Sequence, residues 1–147
     1  KEVSYHLDKK VFFSPHVSQF FRGINMTIQL EFSQAQTVEK IANRLKDYYA
    51  MHPLVQFSES VPTIQQVANT PNCIIGGLQV SADGKRATII SVVDNLLKGA
   101  ASQAVQNINL ALGQNSALGI INLNEINPLL AQADKPKLKQ LNTGEVA

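Results

Sequence analysis

The chain has 147 residues, 44% of them apolar and 16% charged, with a net charge of +2. That length supports one hydrophobic core, and the small charge, with no basic run interleaved with aromatics, argues against nucleic acid as a partner. Cys73 is the single cysteine, which excludes an internal disulfide framework and favours a reducing compartment. No stretch of about 18 apolar residues is present, so no membrane-spanning helix is expected. The opening Lys1-Glu2-Val3-Ser4 carries neither an initiator Met nor a signal-peptide core, which suggests a fragment of a longer protein.

In chain order, Val11-Phe12-Phe13 is short and β-prone, and Pro15 ends it. After Arg22-Gly23, residues 24–32 alternate apolar and polar. This predicts a half-buried strand with Ile24, Met26, Ile28, Leu30 and Phe32 on one face. Thr37 reads as the N-cap of a helix carrying Val38, Ile41, Leu45, Tyr48 and Tyr49 at helical spacing, with Pro53 as its stop. Residues 54–57 form a short strand candidate, and residues 61–72 read as loop.

Two β-rich runs, residues 73–80 and 87–93, flank Asp83-Gly84 and predict a β-hairpin. Residues 96–112 then read as one helix, with Leu97, Ala101, Ala104, Val105, Ile108 and Leu112 as its apolar stripe and Gly113 as its C-terminal glycine. The remainder, with Pro128, Pro136 and the Lys-rich segment 135–139, reads as a weak helix or a solvated, extended tail. The order β-β-α-β-β-β-α predicts an α+β fold, a mainly antiparallel or mixed sheet with helices on one face. Gly76-Gly77 sits inside a strand pattern, so no phosphate-cradling loop is expected, nor a dinucleotide-binding half.

Three places could carry chemistry. At Asp94-Asn95 a strand ends and a helix opens. Its first amides could hold an anion or a polar ligand, with Gly99, Ala100 and Ala101 keeping the turn slim; the alternative is an ordinary capped helix packed through small residues. Ser14-Pro15-His16 with Arg22-Gly23 forms an inter-strand loop. There His16 could exchange a proton and Arg22 could clamp a carboxylate or phosphate, or both could be plain surface residues. Cys73 heads an apolar strand, the setting of a structural thiol rather than an activated one. His6 and His52 have no metal-ligand spacing, and no metal is expected.

The run 94–107, Asp-Asn-Leu-Leu-Lys-Gly-Ala-Ala-Ser-Gln-Ala-Val-Gln-Asn, resembles the long signature helix of N-acetyl-gamma-glutamyl-phosphate reductases, enzymes of arginine biosynthesis. Phe13-Ser14-Pro15-His16, Arg22-Gly23-Ile24 with Thr27, His52-Pro53-Leu54-Val55, Val61-Pro62 and Cys73 resemble the same family in the same register. The resemblance implies the C-terminal substrate-binding and dimerisation domain over 1–120, like that of glyceraldehyde-3-phosphate and semialdehyde dehydrogenases. It leaves 121–147 as a tail that returns to an absent cofactor domain.

It further implies an NADP-dependent reduction of N-acetyl-glutamyl phosphate to the semialdehyde with release of phosphate, through a cysteine thioester. The family's nucleophilic Cys and acid–base His would lie upstream of Lys1, so no catalytic residue is expected in this chain; only Glu2 matches the end of the His motif. Arg22 and His16 are implied on the substrate side and Asn95 on the cofactor side. A homo-oligomer is implied, dimer or tetramer, in the cytoplasm or the mitochondrial matrix. The alternatives are a related aminoadipate-type semialdehyde dehydrogenase and a non-catalytic interaction module on the same fold.

Overall fold

The structure, a computed structural model, describes residues 2–121. The expected tail therefore lies, apart from Ile121, outside the described residues. The order of elements is α1 (Glu2–Leu7), β1 (Ile24–Glu31), α2 (Val38–Tyr49), β2 (Val55–Ser58), α3 (Ile64–Val67), β3 (Cys73–Val80), β4 (Arg86–Val93), a π-turn (Leu97–Ala101) and α4 (Ser102–Ala111). The strands form one sheet in the order β1-β4-β3-β2. β1 pairs antiparallel with β4, from Ile24↔Val93 to Glu31↔Arg86. β3 and β4 form the expected hairpin, whereas β2 runs parallel to β3. The sheet is mixed and the fold is α+β, as its sequence pattern predicts.

The hairpin closes at Ser81-Ala82-Asp83-Gly84. Gly84 adopts φ +70 and donates its N–H to Ser81 O at 2.8 Å, while Asp83 Oδ1 accepts from Lys85 N. An L-residue with a side chain is strained at that φ, which is why Asp-Gly marks the turn. Thr37 caps α2, its side chain accepting from Lys40 N at 3.2 Å. Ile41, Leu45 and Tyr49 of α2 are half-buried, but Val38 and Tyr48 remain exposed. Among the described residues the fully buried apolar side chains are few: Leu54, Pro62, Val67, Val92 and Ala117, with Ala87 and Ile89 nearly so.

Three expectations are corrected. Residues 11–13 do not form a strand: Phe12 and Phe13 are 84% and 76% exposed. A strand needs a partner edge, and this segment is instead tied to α1 through Val11 N, which donates to Ser4 Oγ at 3.0 Å. Within residues 61–72, read as loop, α3 forms a single turn whose Gln66 Oε1 accepts from Thr63 N at 2.7 Å and whose Val67 is fully buried.

The third correction concerns the last helix. Most of its expected stripe faces outward, with Val105, Ile108 and Leu112 exposed and Ala101 and Ala104 likewise, while Leu97 is half-buried. Ser102, Gln106 and Asn109 face inward. The helix opens with the π-turn, seen in Gly99 N donating to Asp94 O and Ala101 N to Leu96 O. Each π-turn adds a residue and so rotates the downstream helix by about 100° relative to a continuous α-helix. Asn109 then donates from Nδ2 to Ser116 O and Leu118 O, fastening the chain beyond the helix. Gly113, at φ +68, ends α4 as expected, with Gln114 N donating to Asn109 O.

Candidate functional site

β4 delivers Asp94 and Asn95 to the end of the sheet, and β1 begins at the same end, since Ile24 pairs with Val93. Arg22 and Gly23 therefore arrive beside Asp94 and Asn95. Asp94 has 0% exposure. Its Oδ1 accepts from Leu96 N at 2.9 Å and Leu97 N at 3.0 Å, capping the helix start. The same oxygen accepts from Arg22 Nη2 at 2.9 Å, and Oδ2 lies 2.7 Å from Arg22 Nε. Asn69 N also donates to Oδ2, at 2.7 Å.

Burial alone would raise the Asp94 pKa. Hydrogen bonds from Arg22, Asn69, Leu97 and Leu96 outweigh it and hold the carboxylate at about 2. Breaking a buried ion pair by removing one partner costs about 3–5 kcal/mol. The Arg22 side chain is 22% exposed, so the lower end applies here.

Arg22 has a third attachment, Nη1 donating to Asn69 Oδ1 at 2.6 Å. Of its five N–H groups, one on each Nη has no partner among the described residues, and the buried Nε meets Asp94 Oδ2 as an ion-pair contact without hydrogen-bond geometry. Asn69 adopts φ +63, the left-handed region unusual for a residue with a side chain. That conformation lets it meet Asp94 with its backbone and Arg22 with its side chain. Asn95 Oδ1 accepts from Gly23 N at 2.7 Å. This bond fixes the carboxamide's orientation and leaves its NH2 without a partner among the described residues. Gly23 itself is pinned: φ is +120, and a Cβ there would stand 2.3 Å from Ile64 Cγ2.

Arg22 and Asn95, both singled out from sequence, thus meet in one cluster. His16 does not join it through any described contact; its exposed ring donates from Nδ1 to Ser14 O at 3.0 Å, within its own loop. Asn69 was missed by sequence reasoning, and its only signal is an Asn between Val67 and Pro71, where a turn is expected. Lys98, on the π-turn, donates forward along the helix from Nζ to Gln103 Oε1 at 2.8 Å and to Gln106 Oε1. Burial lowers its pKa, with the neighbouring Cys73 acting in the opposite sense. Cys73 Sγ lies 3.4 Å from Ser91 Oγ, half-buried on the sheet.

Residues 1–95 match the semialdehyde dehydrogenase dimerisation domain. The chain belongs to this family. Within this dimerisation-domain family it is 45% identical over 113 residues to an N-acetyl-gamma-glutamyl-phosphate reductase of Xanthomonas campestris, covering 77% of this chain and 36% of the relative. It is 42% identical to the reductase of Stenotrophomonas maltophilia with the same coverages.

The mitochondrial protein arg11 of Schizosaccharomyces pombe is 41% identical over 120 residues, 82% of this chain and 14% of that protein. The dimerisation domain thus spans about a third of its bacterial relatives' length. Its fold is similar to that of aspartate semialdehyde dehydrogenase II from Vibrio cholerae, with a TM-score of 0.50 at 20% identity over 63% of this chain and 28% of that one. These likenesses bear out the resemblance read from the motifs. No described helix is long and apolar enough to cross a membrane.

Proposed function

We propose that this dimerisation domain is the substrate side of an NADPH-dependent reductase that converts N-acetyl-glutamyl phosphate to N-acetyl-glutamate semialdehyde and phosphate. The observation that carries the reading is the identity of 42–45% to reductases of that name across 77% of the chain, joined to the Arg22–Asp94–Asn95 cluster. Arg22 keeps one N–H on each Nη without a partner among the described residues, on a guanidinium held by Asp94 and Asn69, which suits a carboxylate or phosphate. Asn95 offers a fixed NH2 donor beside the slim Gly99-Ala100-Ala101 turn, which suits a flat amide-bearing ring such as nicotinamide. NADPH supplies the hydride when bound. His16, on an exposed loop, is assigned to the outer substrate side, where it can meet the charged end of the substrate.

The nucleophile and acid–base residue of the reaction are assigned to the remainder of the enzyme, because Cys73 is held as a structural thiol. Exposed apolar surface supports association with that remainder and with a second copy: Ile24 and Met26 on β1, and Val105, Ile108 and Leu112 on or just after α4. The proposed setting is cytoplasm or mitochondrial matrix. The test is steady-state reduction of N-acetyl-glutamyl phosphate by the intact enzyme with Arg22→Lys. The fork is lost while the charge stays, so KM for the acyl phosphate rises about 10-fold or more. An unchanged KM removes Arg22 from the substrate side.

A further inference from the structure

We propose that Asp94 is a positioning residue that couples the substrate side of the site to the cofactor side; this rests on the reductase reading above. Residues 22–23 and 94–95 form two dipeptides fastened to each other twice. Arg22 donates from Nη2 to Asp94 Oδ1 at 2.9 Å and sets Nε 2.7 Å from Asp94 Oδ2 as an ion-pair contact, and Gly23 N donates to Asn95 Oδ1 at 2.7 Å. Neither dipeptide can shift alone. Gly23 is blocked by Ile64, and the step after Asn95 is hung from Asp94 by the amides of Leu96 and Leu97 and by Gly99 N on the Asp94 carbonyl.

A cap alone does not explain this residue. Asn or Ser would satisfy the amides of Leu96 and Leu97 as well, without the desolvation penalty of a fully buried charge. Nor does charge balance alone explain the partner, since a lysine would balance it. What carboxylate and guanidinium achieve together is a fixed plane, with Asn69 Oδ1 at 2.6 Å from Nη1 holding the third corner. That carboxylate sets the plane of Arg22, and through the adjoining Gly23, whose N–H holds Asn95 Oδ1, it bears on the aim of the Asn95 carboxamide. A ligand that reorients Arg22 reorients Asn95 through it.

The test uses the intact enzyme with Asp94→Asn, which keeps an acceptor for the helix amides and removes the ion pair. On the folded fraction, measured by circular dichroism, KM for the acyl phosphate and KM for NADPH rise together, the first about 10-fold or more. In the wild-type background Arg22→Lys and Asn95→Ala are non-additive on the two KM values; in the Asp94→Asn background they become additive. Wild-type KM values in folded Asp94→Asn overturn the coupling, whether or not the melting temperature falls, because a purely structural carboxylate would move only the latter.

If Asp94→Asn does not fold, Arg22→Lys alone is read on KM for NADPH: a rise supports the coupling, and no change overturns it. A wild-type enzyme that does not turn over N-acetyl-glutamyl phosphate overturns the reductase reading instead. The coupling is then read from the Kd of NADPH in wild type and Arg22→Lys by calorimetry, where a weakened Kd supports it and an unchanged Kd overturns it.

Discussion

Both oxygens of Asp94 are taken up by Arg22, Asn69, Leu96 and Leu97, and none of its surface meets water. Its pKa, about 2 against an ordinary 3.8, lies below the unfolded value. Its stabilisation is therefore complete above about pH 4 and fades as the pH falls through 4 toward 2. Urea unfolding followed across that window shows the midpoint falling in wild type, with a shallower fall in Asp94→Asn; parallel slopes would remove Asp94 from the acid response.

Gly23→Ala destabilises by about 2–4 kcal/mol, because the methyl meets Ile64 and the backbone is held at φ +120. The urea midpoint reads it directly. Gly99 behaves differently: a Cβ there would meet Asp94 O at 3.4 Å, an ordinary contact. Gly99→Ala leaves the fold within about 1 kcal/mol or stabilises it. A raised KM for NADPH in that variant would mark close approach by the cofactor rather than by this domain. Arg22 and Asn95 are legible in the sequence because residue type and neighbouring motif announce them. Asn69 is not, because its value lies in a positive φ and in partners 25 and 47 residues away.

At the level of elements, local signals are the ones that read true. The β3–β4 hairpin is written in Asp83-Gly84 and its flanking runs, and α2 in Thr37 and the spacing of Ile41, Leu45 and Tyr49. Thr63 with Gln66 spells a capping pair for α3, but one turn is too short to show periodicity. The β-prone run at 11–13 fails because pairing, not propensity, makes a strand. The phase of α4 is hidden by the π-turn, which no periodic pattern encodes. Its outward apolar side is the element-scale prediction. Ile108 is 58% exposed, so Ile108→Ser changes this domain's stability by no more than about 0.5 kcal/mol. The same substitution weakens association in the intact enzyme, read by sedimentation velocity as a shift toward smaller species. A large drop in the domain's own stability would place Ile108 in this domain's core instead.

Across the whole molecule, a small core supports a mixed sheet with the Arg22–Asp94–Asn95 cluster at one end and apolar side chains left on β1 and α4. Such a domain is suited to holding and aligning ligands and to meeting other protein surfaces. Division of labour between this domain and a cofactor-binding remainder is the central claim. The decisive measurement is phosphate-dependent oxidation of N-acetyl-glutamate semialdehyde with NADP, run on the intact enzyme and on the 147-residue chain alone. Turnover is expected from the intact enzyme and a background rate from the chain. Background by the intact enzyme alongside turnover of the aminoadipate analogue, or measurable turnover by the chain alone, would contradict it.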